Sequence, residues 1–196
     1  MNIRKSTIAA LLGLAFSSAV LAQTAASEVQ RDVNQQQRIE NGLQSGALST
    51  REAARLERGE ARIDRMQANA LKDGKLSQAE KARIAGAQNA ESNRIRAAKH
   101  NEVVGNPQSA SSQRMQADVQ RNVNHEKRIE QGIQSGALTN REVGQLERGQ
   151  AHVDRKEARA GADGHVGPHE QHAIQHAENV QSKRIYNKKH NAHTRS

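Results

Sequence analysis

Apolar residues recur along this chain at intervals of three and four, and the pattern occurs twice. Val29, Val33, Ile39 and Leu43 fall on one side of a helix over about residues 27–43. Ala53, Leu56, Ile63 and Ala70 line a second helix, and Ile84, Ala87 and Ile95 a third. The punctuation between them agrees. Gly42 and Gly46 bracket a turn, and Ser49 with Glu52 has the spacing of a capping box, in which each side chain bonds the other residue's backbone N–H. Leu48, just before the cap, is placed to staple onto Ala53. Asp73-Gly74 ends the second helix, and Ser77 with Glu80 opens the third. Gly59 interrupts the second helix on the edge of its apolar stripe. A mid-helix glycine costs about 1 kcal/mol relative to alanine, so its recurrence as Gly149 points to close approach of a neighbouring helix.

The second occurrence is a duplication. Residues 29–101 align without a gap on 119–191, and 37 of the 73 positions are identical. Thr139 and Glu142 repeat the capping box, Leu138 and Val143 the staple, and Gly167-Pro168 the third helix start, with Pro in the first turn. Both copies end in Lys-His-Asn. The expected fold is all-α, two tandem three-helix repeats joined by a flexible linker. Repeat 1 covers residues 23–101, the linker 102–113 and repeat 2 114–196, with longer dimerising hairpins or one six-helix array as alternatives. The linker reading rests on Pro107 and the small polar residues around it.

Residues 1–22 stand apart. Arg4 and Lys5 precede an apolar run from Ile8 to Phe16, and Val20-Leu21-Ala22 offers a signal-peptidase site, so the expectation is a cleaved signal peptide and a periplasmic or secreted protein. The run is too short to span a membrane. The remainder carries 28 basic and 21 acidic residues and no Cys, which excludes disulfides, thiolate metal sites and Cys nucleophiles. Only 25 of its 174 residues are Leu, Ile, Val or Phe, so any core is thin. Along the helices basic and acidic residues alternate, as in Arg55-Leu56-Glu57-Arg58, which reads as solvated helical faces.

Histidine carries the clearest chemical signal. Eight of nine lie in repeat 2, and His165, His169, His172 and His176 are spaced four, three and four. The last three fall on one helical stripe opposite Ile174 and Ile185, facing solvent, where imidazoles three or four apart can chelate Ni²⁺, Cu²⁺ or Zn²⁺. Glu170 is expected to point inward and to take no part. Two turns, Asp73-Gly74-Lys75-Leu76-Ser77 to Glu80 and Asp163-Gly164-His165-Val166 to Glu170, resemble the second half of an EF-hand calcium loop. The first and third ligand places hold Asn69 and Leu71, then Arg159 and Gly161, which leaves too few oxygens and argues against calcium there. Lys183, Arg184, Lys188 and Lys189 form a terminal basic patch suited to an anionic envelope polymer or a protein partner. Sequence-specific nucleic-acid binding is not expected, since Tyr186 is the one aromatic available for stacking. No nucleophile elbow or phosphate loop is present, and His172 and His176, which have the zinc-protease spacing, carry Ala173 where its Glu should stand, so the chain reads as non-catalytic. As a whole it resembles small exported proteobacterial proteins whose short helical repeats carry Gly-x-Leu-Ser/Thr-x-x-Glu turns. That resemblance implies export and a helical repeat fold, and carries no activity with it.

Overall fold

In the computed structural model the backbone is described for residues 16–192 and the side chains for residues 25–192. The segment read as a signal peptide lies largely outside these residues, as do His193 and Arg195. The described chain is all-α, with three helices from each copy. These are α1 (Phe16–Ser45), α2 (Thr50–Ala70), α3 (Gln78–Lys99), α4 (Ala110–Gln134), α5 (Asn140–Ala160) and α6 (Pro168–Lys189). A single 3₁₀ turn follows α2 and α5, each closed by a glycine in the left-handed region, Gly74 at φ 85° and Gly164 at φ 91°. The capping boxes of Ser49, Ser77 and Thr139 are all formed, and Pro168 occupies the first turn of α6. The repeated Lys-His-Asn endings find a structural use. Asn101 donates to Glu52 and Asn191 to Glu142, tying the end of each third helix to the start of the second.

The main packing runs between the copies. α1 lies antiparallel to α4, α2 antiparallel to α5, and α3 and α6 close the flanks. Two apolar clusters result, one at each end of the assembly, and each draws on both copies. Val29, Leu71 and Ile84 pack with Ile129, Ile133 and Leu138 at one end. Ile39, Leu43, Leu48 and Ile95 pack with Met115, Val119 and Ile174 at the other. The linker region is also built in. Gly105 N–H donates to Gly46 O at 2.8 Å, a side chain at 105 would collide with the backbone of Leu48, and residues 110–113 already belong to α4. Of the arrangements open to the sequence, the helices therefore form one six-helix array.

Gly59 and Gly149 do mark close approaches. The carboxyl of Glu91 on α3 and the amide of Gln181 on α6 occupy the space a Cβ would need. Leu48, 1% exposed, fills the hollow over Gly42 beside α2. Truncating it in so thin a core is expected to cost about 2–5 kcal/mol. Denaturant unfolding of Leu48→Ala checks this, and a loss below about 1 kcal/mol would show that the end cluster is not what holds α1 to α2.

Candidate metal centre

On α2, Arg51, Arg55, Arg58, Arg62 and Arg65 are all exposed, at spacings of four, three, four and three. That regularity puts every arginine on one outer face and leaves Glu57, Glu60, Asp64 and Gln67 on the inner one, where all four are buried. On α5, Arg141, Arg148, His152 and Arg159 face outward, while Glu147, Gln150, Asp154 and Glu157 are buried. The alternating charges expected to be solvated are thus segregated: the bases meet water and the acids meet each other.

Between the apolar ends lies a polar waist. α1 adds Asp32 and Gln36, and α4 adds Asn122 and Glu126, all buried. Two carboxylate triads form in it. Oxygens of Asp32, Asp64 and Glu147 lie within 4.8 Å of one another, and so do those of Glu57, Asp154 and Glu157. Two members of each triad, Asp64 with Asp154 and Glu57 with Glu147, are related by the offset of 90, and the triads touch at the Asp64–Asp154 hydrogen bond. Amides stitch parts of the waist. Gln67 and Gln88 donate to Asp32 at 2.6 and 2.8 Å, Gln36 to Glu57 at 3.0 Å, Asn122 to Glu157 at 2.7 Å and Gln150 to Asp154 at 2.9 Å.

Counter-charge is missing. Among the described residues the ion pairs are Arg94–Glu91, Arg121–Glu178 and Lys188–Glu142, none of them within the waist. Neither oxygen of Glu60, Glu126 or Glu147 has a hydrogen-bond partner. Burial, reinforced by neighbouring carboxylates, pushes Glu60, Asp64, Glu126 and Glu147 well above the ordinary carboxylate range, and Glu57 and Glu157 likewise. Burial also raises Asp32 and Asp154 to about 7, against the pull of their amide donors. His125, the residue before Glu126, is buried with Nδ1 unpartnered, and its pKa is pushed down to about 4 by burial and by Arg128 and Arg121. Ionised carboxylates cannot sit in such a place unaided, since the desolvation penalty is several kcal/mol for each ion. They must hold protons or share a cation. No family model matches the chain, and no curated protein or solved structure matches it either.

The residues singled out from sequence lie elsewhere. His165, His169, His172 and His176 are all exposed, the last three along α6, as the helical spacing requires. Glu170 does not point inward as expected. It is exposed because its carboxylate is held at the helix start, accepting from Gly167 N–H at 2.8 Å. The other residues of the EF-like turns are engaged in the same way. Asp73 accepts from Lys75 N–H at 2.9 Å, Asp163 from His165 N–H at 2.8 Å, and Glu80 from Ser77 N–H at 2.8 Å. Of the basic patch, Lys183 and Arg184 are exposed, while Lys188 leans on Glu142 at 3.8 Å and Lys189 is half-buried. The waist is the feature that the sequence reading missed. Its signal was present in the arginine spacing along α2.

Proposed function

We propose that this chain is an exported, non-catalytic helical protein that holds metal cations, and that its principal metal centre is the carboxylate waist. One observation carries the reading. Glu60, Glu126 and Glu147 are buried beside Asp32, Asp64 and Asp154 with neither a base nor a hydrogen-bond donor on their oxygens. A cation among Asp32, Asp64 and Glu147, whose oxygens lie within 4.8 Å of one another, would satisfy Glu147 directly and offset the charge of the acids around it. An all-oxygen donor set selects hard ions such as Mn²⁺ or Ca²⁺ over the softer metals that prefer imidazole or thiolate. Export is supported by the basic start and apolar run of residues 1–22. A second reading rests on the exposed imidazoles of α6. His172 and His176, one turn apart, suit Ni²⁺, Cu²⁺ or Zn²⁺ at the surface.

One experiment separates the two. The chelator-stripped protein is titrated calorimetrically with Mn²⁺, Ca²⁺, Ni²⁺ and Zn²⁺, and its melting point is followed with each. Saturation of the waist by Mn²⁺ or Ca²⁺ should add about 3 kcal/mol at a hundredfold excess over Kd. His172→Ala with His176→Ala should leave that effect intact and abolish binding of Ni²⁺ and Zn²⁺. If neither Mn²⁺ nor Ca²⁺ shifts melting at millimolar concentration, the waist is not a metal centre.

A further inference from the structure

The two triads share two duplicated positions, and the remaining member and the surroundings have diverged in opposite senses. Glu57 and Glu147 correspond, as do Asp64 and Asp154. Elsewhere one copy has an acid where the other has an amide. Asp32 corresponds to Asn122 and Glu60 to Gln150, while Gln36 corresponds to Glu126 and Gln67 to Glu157. The exchange leaves the two centres chemically different.

Around Glu57, Asp154 and Glu157 every carboxyl has an amide donor of its own, from Gln36, Gln150 and Asn122 respectively. Gln150 also donates to Asn122 at 2.8 Å, which closes the network. One oxygen of each has no further partner, and each carboxyl can keep a proton or share one there. Around Asp32, Asp64 and Glu147 only Asp32 has amide donors. Glu147 has none, and one oxygen of Asp64 is unpartnered. Two further acids here, Glu60 and Glu126, have no partner, whereas those around the other centre, Glu91, Glu178 and Asp118, are held by Arg94, Arg121 and Gln171. The carboxylates acting on Glu126 include Glu147 and Asp32, and those acting on Glu60 include Asp32 together with Glu91, Glu57 and Asp154. Glu60 and Glu126 are both 1% exposed, and all four of their oxygens lack partners. Unsatisfied buried polar atoms are costly, so the oxygens of such a centre need either protons or a cation.

We infer that the protein binds one hard cation per chain, held by Asp32, Asp64 and Glu147, and that the triad of Glu57, Asp154 and Glu157 is its amide-bonded structural counterpart. The inference rests on the reading of the waist as a metal centre. One divalent ion balances two carboxylate charges of the triad. Binding therefore displaces protons, as is usual where ligands must deprotonate.

The matched pair Glu147→Gln and Glu57→Gln provides the test, because the two positions are equivalent in the duplication and the change is isosteric. Equilibrium dialysis of the full chain against Mn²⁺ should give one equivalent for the unaltered protein. Glu147→Gln should weaken binding by on the order of 100-fold, and Glu57→Gln by less than about threefold. Melting in chelator should show both variants at least as stable as the parent at pH 7.5, since each removes a buried acid. That control separates a lost ligand from a lost fold. Two equivalents of Mn²⁺, equal losses in both variants, or a loss confined to Glu57→Gln would each overturn the inference while leaving the waist a metal centre. Failure of the unaltered chain to retain Mn²⁺ would overturn the metal centre itself, and this assignment with it.

Discussion

Raising the pH of the chelator-stripped protein from 5 to 7.5 will lower its melting point by about 10 °C or more, opposite to what paired surface carboxylates would give. The sign follows from proton counting. Asp32, Asp118 and Asp154 are raised to about 7 and Glu178 to about 8, mainly by burial, whereas the same side chains in the unfolded chain titrate near 4. Between these values the folded state binds more protons than the unfolded one. The stability these groups contribute is complete below about pH 4 and is lost as pH rises through 7 to 8. Each extra proton is worth about 1.4 kcal/mol per pH unit. His125, lowered to about 4, works the other way, because its unfolded form gains a proton below about 6.5. It offsets one of the acids and not the rest. Basic groups reach these acids from the rim, Arg31 beside Asp32, Arg121 beside Asp118 and Glu178, Arg155 beside Asp154, and Arg94 and Arg62 beside Glu91, which acts on Glu57 and Glu60. Saturating Mn²⁺ should flatten the profile, since the bound carboxylates then titrate against the metal. A melting point that rises steadily from pH 5 to 7.5 in chelator would show that the waist acids are ionised and paired.

Separating the copies will abolish cooperative folding. A chain cut between Gly105 and Asn106 leaves α1–α3 with half of each apolar cluster and the inner faces of α1 and α2 uncovered. With so few large apolar side chains, neither piece has the few kcal/mol of core on which a small unit depends. Circular dichroism on each piece at low micromolar concentration should show reduced helicity and a broad melt. Mixing the two should restore the helicity and the sharp transition of the intact chain. A piece that unfolds cooperatively as a monomer would contradict the packing described for α1 against α4 and α2 against α5.

What was legible in the sequence was local. The helix ends at Ser49, Ser77, Thr139 and Pro168 follow from cap chemistry within three or four residues, and the structure has them as expected. The histidine stripe lies outward because its position relative to Ile174 is fixed by helical geometry alone. The packing of the copies was not legible, because repeats that fold on themselves and repeats that fold on each other need the same apolar stripes. The waist was missed for a further reason. Glu57 and Asp64 read as solvated next to Arg58 and Arg65, and only the regular period of the arginines distinguishes a helix with two polar faces from one with a polar exterior and an acidic interior. Polarity alone did not locate the inside of this protein.

The exchange of acid for amide across the waist also bears on how such a chain could arise. If two separate, identical chains paired about a true dyad, whatever stood at one position would necessarily stand at its mate. Asp could never face Asn there, nor Glu face Gln. Four such mismatched couples occupy the waist, Asp32 with Asn122, Glu60 with Gln150, Gln36 with Glu126 and Gln67 with Glu157. They are open only to a protein whose two halves are encoded separately and joined. Gene fusion did more than tether two partners. It released each half from copying the other, so that two triads, each drawn from both halves, could come to differ.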